Sequence, residues 1–498
     1  MSTSVRSPLP SPSRPAPDGP AATALTADHR RGVPPVVLLV GSLASAGIVG
    51  AASSLGWRTG LTALLAVTVG LLLLVRWEIA GVLLVGIVPA VSGLERGLVI
   101  PGVRVGEVFV LLLAALCLTV GRTHRPPRWQ AVDALLLVFA ALSVALGVVN
   151  LRQLGITADV STAGNVLGPI LYLVLYRAAV VSLDTAARRR CALRVFLFAS
   201  VPVSVLAVLQ YLDIGGVTAM LTDLTGSSNF QINTVLFTGR VTGPFDHWHV
   251  LGGYLSAVIL LGAAIALEAR ARVLSRTEQV VVLVPAVVAL LLTLTIAVIV
   301  GTVVGVVLLA AWYRRLRSIA LIGVAGTAVA ILVFGSLFGE RLDQQFTPRA
   351  GEDRALYVPH TLDYRVNVWT EQYIPALDGN WVDGYGPTLP PDVEWLYPES
   401  IYFSLLLRGG LPLLAVFVAL MWAVLRAAKE AGESDETERR VAGRATAVLA
   451  VVLVAMHAVF PYFDSPGLPY AFWAVAAVAM AAQVKGPGRR EVPEGVLT

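Results

Sequence analysis

Apolar runs close to the roughly 20 residues that a helix needs to cross a bilayer recur along this chain, separated by short polar connectors. The runs predict spans near 34–52, 58–75, 79–94, 106–121, 131–149, 166–183, 194–213, 248–268, 279–296, 298–313, 318–338, 411–427, 444–461 and 467–484. The stretch 279–313 is too long for one span and reads as a tight hairpin, with Gly301 near its middle as a turn former. No period-2 alternation suggests a barrel. The expected fold class is therefore all-α: a polytopic integral membrane protein of about 14 transmembrane helices (12 to 14), with one large external loop carrying short helices.

One long polar segment interrupts the pattern, Gly339 to Tyr402, rich in charge and aromatic rings. It divides the chain into a disordered cytoplasmic tail (1–33), helices 1–11 (34–338), the large external loop (339–410), helices 12–14 (411–484) and a second cytoplasmic tail (485–498).

Composition agrees. Hydrophobic residues make up 56% and charged residues 14%, which excludes a soluble globular protein. The net charge of +5 is scattered between helices and does not indicate nucleic-acid binding. It reports topology instead: with the N-terminus inside, inner segments hold 26 of the 37 Lys and Arg, and the longer outer segments only ten. Both termini are expected in the cytoplasm, and 95–105, 150–165, 214–247 and 339–410 outside. The connector RAAKEAGESDETERR reads as a solvated cytoplasmic linker. Cys117 and Cys191 read as small buried residues with no disulfide framework.

Arginines that remain on the positive-poor outer face point to chemistry. Arg240 lies in TGRVTGPFDHWHVLGGYL, where an external loop enters a span, and Arg365 lies in DYRVNVWTEQYIPAL. A guanidinium binds phosphate oxygens in a bidentate, permanently charged way, so two of them near the membrane surface suit a lipid diphosphate. Pairing with acidic loop residues or lipid headgroups accounts for them equally well. Glu399 and Ser400, in YPESIYF, stand where the chain returns to the bilayer: Glu399 is either a proton acceptor from a sugar hydroxyl or part of an ordinary helix start. His247 and His249 form an H-x-H pair whose two rings, at i and i+2 of a helix, point to different faces, so a metal site is not expected. Trp369, Tyr373, Trp381, Tyr385, Trp395 and Tyr397 suit sugar stacking or a membrane interface equally. Gly384 and Gly386, and Gly409 and Gly410, read as turn formers. Arg177, inside a span, is near enough to the cytoplasmic end to snorkel.

Over residues 165–430 the order GRVTGPFDHWHVLGGYL, DYRVNVW, GYGP and PESIYFSLLLRGGL resembles the O-antigen ligase and polymerase superfamily of bacterial polysaccharide assembly. The resemblance implies a GT-C-like membrane glycosyltransferase in the cytoplasmic (inner) membrane. It implies an undecaprenyl diphosphate-linked glycan donor, a glycan acceptor, membrane lipid and polysaccharide-assembly proteins as partners, and inverting transfer with no metal or other cofactor. In that setting Arg240 and Arg365 hold the diphosphate and Glu399 serves the acceptor. His247, His249, Tyr364, Trp369, Ser400, Tyr402 and Arg408 complete the implied substrate-binding set. Two departures stand out: Glu399-Ser400 occupies the place of a His-Asn pair usual in ligases, and LTIAVIVG lacks the family's Ser-Arg-Gly run. Transfer to a lipid A core is therefore not implied. A lipid-linked oligosaccharide flippase, a ligase with another acceptor and a peptidoglycan-type polymerase remain as alternatives.

Overall fold

A computed structural model describes residues 78–100, 103–120, 129–153, 155, 160–227, 239–268, 273–347, 358–387 and 398–481. The expected tails and the spans at 34–52 and 58–75 lie outside the described residues. The chain is helical almost throughout, in the order α1 (Glu78–Gly86), α2 (Val88–Val91), α3 (Val105–Val120), α4 (Ala131–Gln153), α5 (Val160–Ser182), α6 (Ala186–Tyr211) and α7 (Val217–Thr225). It continues through α8 (Trp248–Leu267), α9 (Arg276–Leu292), α10 (Ile296–Trp312), α11 (Leu316–Phe346), α12 (His360–Val368), α13 (Ile401–Ala431), α14 (Thr437–Val459) and α15 (Leu468–Met480). Among the described residues α4, α6, α8, α13 and α14 are long and apolar enough to cross a membrane, and four shorter apolar helices accompany them. This is an all-α integral membrane protein.

Several elements depart from expectation. The run 79–94 is broken into α1 and α2, because Pro89 can only begin a helix, not continue one. An antiparallel hairpin, β1 (Arg96–Ile100) with β2 (Val103–Arg104), fills the predicted loop 95–105 and pairs Arg96 with Arg104. The hairpin at 279–313 forms, but its turn is Thr293–Thr295 and not Gly301. Gly301 sits inside α10, where an added Cβ would lie 3.0 Å from Val452, so it serves close helix packing. The helix predicted to end at 338 runs on to Phe346, and Ile401–Arg408, assigned to the loop, is already helical. Cys117 is buried as expected, whereas Cys191, on α6, is exposed.

At the end of the bundle predicted to be cytoplasmic, arginines find carboxylates. Arg189 pairs with Glu436 at 2.6 Å, Arg190 with Glu438 at 2.6 Å and Arg440 with Glu268 at 2.9 Å. The 426–444 connector is thus anchored by charge pairs, one of them to a Glu438 that is only 3% exposed, and is not a solvated linker. Arg177 does not snorkel: Asp133 of α4 holds its guanidinium at 3.0 Å, both side chains buried. Helix α8 is buried around nearly its whole circumference, and every residue of α15 is buried, as helices that are apolar on all sides require.

The large loop is fastened to the bundle at a kink in α13. Gly409 and Gly410 leave helical geometry, Gly410 with φ +62. The freed backbone is met by the loop: Leu411 N donates to Trp381 O at 2.8 Å and Tyr385 N to Leu407 O at 2.6 Å. Asn150 of α4 clamps the same turn by donating to Asp383 O at 3.1 Å. Beneath it Val368, Tyr373, Leu377, Leu406 and Leu407 form a small core, with Trp369 stacked on Phe403 at 5.5 Å.

A Cβ at Gly410 would meet Val382 O at 2.3 Å and require a left-handed non-glycine residue, whereas one at Gly339 would meet nothing within 4 Å. Gly410→Ala should therefore cost about 2 kcal/mol or more and lower the thermal unfolding temperature in detergent, while Gly339→Ala should not lower it. Equal melting of the two variants would show that the kink does not hold the loop.

Candidate functional site

A cavity of about 1250 Å³ opens where the predicted outer segments meet. Its walls are the 239–248 segment entering α8, the α9–α10 turn, the C-terminal turn of α11, the start of α12, Glu399 and the outer end of α14. Apolar side chains of α10 and α14, Val300, Val304, Val451 and Ala455 among them, continue it toward the bundle.

Three arginines face this space. Arg240, 7% exposed, donates from Nε to Thr293 O at 3.0 Å and from Nη2 to Thr295 Oγ1 at 3.0 Å, and lies 4.2 Å above the Trp248 ring. Both hydrogen-bonding partners come from the α9–α10 turn, whose sharpness exposes a carbonyl that no helix claims. Arg341, on the last turns of α11, reaches Gln344 Oε1 at 3.2 Å. Arg365, on α12, donates to Val459 O at 3.0 Å, to Thr361 O at 2.9 Å and to Glu399 Oε2 at 2.7 Å. Among the described residues neither Arg240 nor Arg341 has a carboxylate at ion-pair distance. The Nε of Arg341 and the indole N–H of Trp248 are buried without a hydrogen-bond partner among those residues.

Burial pushes the Arg240 guanidinium well below its ordinary value, and the nearby Arg341 charge adds to that. Since a guanidinium does not give up its proton in proteins, the physical content is a cation held in place and short of negative charge. Such an arrangement can accept hydrogen-bonding oxygens and negative charge.

The histidines are not on different faces of a helix. His247 is the N-cap of α8 with extended backbone, so the helical period does not reach it, and its ring stacks on that of His249 at 5.1 Å. His247 Nδ1 accepts from His249 N at 3.2 Å, which requires a neutral, unprotonated nitrogen. Burial, helped by Arg240, lowers its pKa to about 3, consistent with that role.

Glu399 directly precedes Ser400, the N-cap of α13, as the helix-start reading expects, and its carboxylate turns into the cavity to meet Arg365. Tyr364, His247 and His249 line the same cavity. Trp369, Ser400, Tyr402 and Arg408 do not. Trp369 packs on Phe403 in the cap core, Ser400 Oγ accepts from Tyr402 N at 3.3 Å and donates to His457 O at 3.2 Å, Tyr402 donates to Val454 O at 2.7 Å, and Arg408 pairs with Asp464 at 2.7 Å. Trp395 and Tyr397 lie outside the described residues. The residue that sequence reasoning passed over is Arg341: it stands in the same outer segment as Arg365, but two positions into GERLDQQ it looks like a surface helix end. The rule that singled out the other outer arginines applies to it equally.

No curated protein matches the chain. Residues 280–418 match the family described as O-antigen ligase, a region that carries Arg341, Arg365 and Glu399 from α9 to the first half of α13. That family implies glycosyltransferase or ligase activity on lipid-linked glycan and acceptor substrates in general. Over those residues, less than half of its length, the chain is similar to that family.

Proposed function

We propose that the protein polymerises or transfers an undecaprenyl diphosphate-linked glycan on the outer face of the cytoplasmic membrane, with both termini inside. The observation that carries this reading is the convergence of Arg240, Arg341 and Arg365 on one cavity in which, among the described residues, only Arg365 has a carboxylate partner. Diphosphate oxygens supply the missing negative charge, and the apolar wall of α10 and α14 suits the adjoining prenyl chain.

The reaction is a displacement at the anomeric carbon. An acceptor hydroxyl forms the new C–O bond, the bond to the diphosphate breaks, and the diphosphate departs with its charge balanced by the arginines. A diphosphate that engages Arg365 competes with Glu399 for the guanidinium. The carboxylate released from the 2.7 Å pair is then positioned to take the hydroxyl proton. Donor binding and base activation are linked through one exchange of partners. His247, neutral and committed to capping α8, positions the arginine loop and does not supply protons.

In membranes supplied with lipid-linked oligosaccharide, Arg240→Ala, Arg341→Ala and Arg365→Ala should each slow glycan transfer about 100-fold or more. Glu399→Gln should slow it comparably while leaving donor binding intact. Wild-type rates in these variants, or translocation of labelled donor without covalent change, would overturn the proposal. Deleting the gene separates the two products: single repeat units left on lipid indicate a polymerase, long chains left on lipid a ligase.

The pH dependence has a defined sign. The folded His247 binds a proton only near pH 3 and the unfolded one near 6.5, so the unfolded chain binds more protons in that window and stability is lost as pH falls through it. Thermal unfolding should show this loss, and His247→Gln should flatten it. An unchanged slope would remove His247 as the source.

A further inference from the structure

A second, smaller polar cavity of about 60 Å³ lies on the other side of the turn that joins α14 to α15. Consecutive residues of that turn face the two spaces: Ser465 lines the first cavity and Asp464 the second. Arg96 and Arg104 of the β-hairpin, Glu107 at the start of α3, Arg408 of α13 and Tyr172 of α5 complete the smaller one. Apart from Arg408, these residues lie outside the region that matches the O-antigen ligase family.

Both carboxylates here are already occupied at each oxygen. Glu107 accepts from Arg96 Nη2 at 3.0 Å on Oε1 and from Arg104 N at 3.1 Å on Oε2. Asp464 accepts from Arg408 Nη1 at 2.7 Å on Oδ1 and from Ser404 Oγ on Oδ2. The Arg104 guanidinium makes no hydrogen bond or ion pair among the described residues, and its Nε is buried without a partner. Among the described residues, three arginines against two saturated carboxylates leave one positive charge and a surplus of donors. A monoanion balances that charge, whereas a phosphate monoester, with about −1.5 to −2, exceeds it. By the liquid volume of water the space holds roughly two waters, enough for a carboxylate group and too little for a sugar ring, which must remain at the mouth.

Arg104 also links the two cavities. Burial raises the Asp246 carboxyl above its usual range, and the Arg104 charge opposes that rise, so the cation is within electrostatic reach of a wall of the first cavity.

We propose that this second cavity, centred on Arg104 and Arg408, binds the carboxylate of an acidic sugar in the acceptor glycan and so sets which acceptor is extended. It rests on the glycan-transfer reading above for the ligand being a sugar. Each ligated carboxylate gives charge-assisted hydrogen bonds to the free guanidinium of Arg104, with the ring lying toward the first cavity across the 460–467 turn.

The test uses the full chain in detergent and four probes: a glucuronate-terminated disaccharide, its neutral glucose counterpart, inorganic phosphate and undecaprenyl diphosphate. Binding is read by thermal shift and titration. The acidic disaccharide should bind about tenfold more tightly than the neutral one, and Arg104→Gln should abolish that preference. Because the Arg104 guanidinium holds no partner among the described residues, this variant leaves both ion pairs intact and should fold. Arg408→Lys, which keeps a charge against Asp464, should weaken the preference in part. Arg240→Ala should leave it unchanged while losing protection by undecaprenyl diphosphate, and Arg104→Gln should keep that protection, so failure at one site is distinguishable from failure at the other. Equal binding of the acidic and neutral disaccharides, a preference that survives Arg104→Gln, or phosphate competing through Arg104 as strongly as the acidic sugar would overturn the proposal.

Discussion

The structure depends on guanidinium charge held out of water without its own carboxylate. A buried cation costs several kcal/mol unless something compensates it, and removing one partner from a buried pair is among the more damaging changes a protein can suffer. The end of the bundle predicted to be cytoplasmic obeys that rule, with Arg189, Arg190 and Arg440 each matched to a glutamate. Among the described residues, the opposite end relaxes it at Arg240 and Arg341. One carbonyl oxygen, one threonine hydroxyl and the Trp248 face hold Arg240 in position but do not neutralise it. A site that keeps positive charge in reserve gains most when an anion arrives, since the low dielectric that penalises the empty state strengthens the filled one.

Holding such a site open requires rigid neighbours, and the fold supplies them by joining segments distant in sequence. The α9–α10 turn presents Thr293 and Thr295 to Arg240, fifty residues upstream. The Gly409–Gly410 kink gives up helical hydrogen bonds in α13 and receives replacements from Trp381 and Tyr385, which fixes the cap that carries Arg365. Glu399 and Arg408 leave the same stretch of chain in opposite roles, one toward the arginine cavity and the other locked to Asp464. The turn between α14 and α15 then serves as a partition, with polar groups on both sides.

On the proposed reading, the smaller cavity gives the outer face a division of labour that one large loop would not have. One arginine cluster faces an apolar wall and suits a lipid diphosphate. The other is tight, tied to a hairpin and nearly neutral, and suits a single carboxylate. Their separation by a few residues of backbone is what a two-substrate transfer requires, because donor and acceptor must approach one carbon from different sides.

Much of this was legible in the chain. Apolar runs near the bilayer length determined an all-α membrane protein, because backbone groups in lipid must be satisfied within each segment. The scarcity of Lys and Arg on alternate connectors made Arg240 and Arg365 conspicuous, and the motif order pointed to the superfamily. Local pattern failed where a residue's role is set by its neighbours in space. Gly301 looked like a turn and is a packing contact; His247 and His249 looked divergent and are stacked, since an N-cap does not follow the helical period; Trp369 looked like a sugar platform and is core; Arg341 looked like a helix end and faces the cavity. Sequence alone determined that long apolar helices make up most of the chain, since transfer free energy is summed residue by residue along it. Only the tertiary structure decided which arginines keep a carboxylate and which do not, because charge compensation depends on distances between residues that the sequence places far apart.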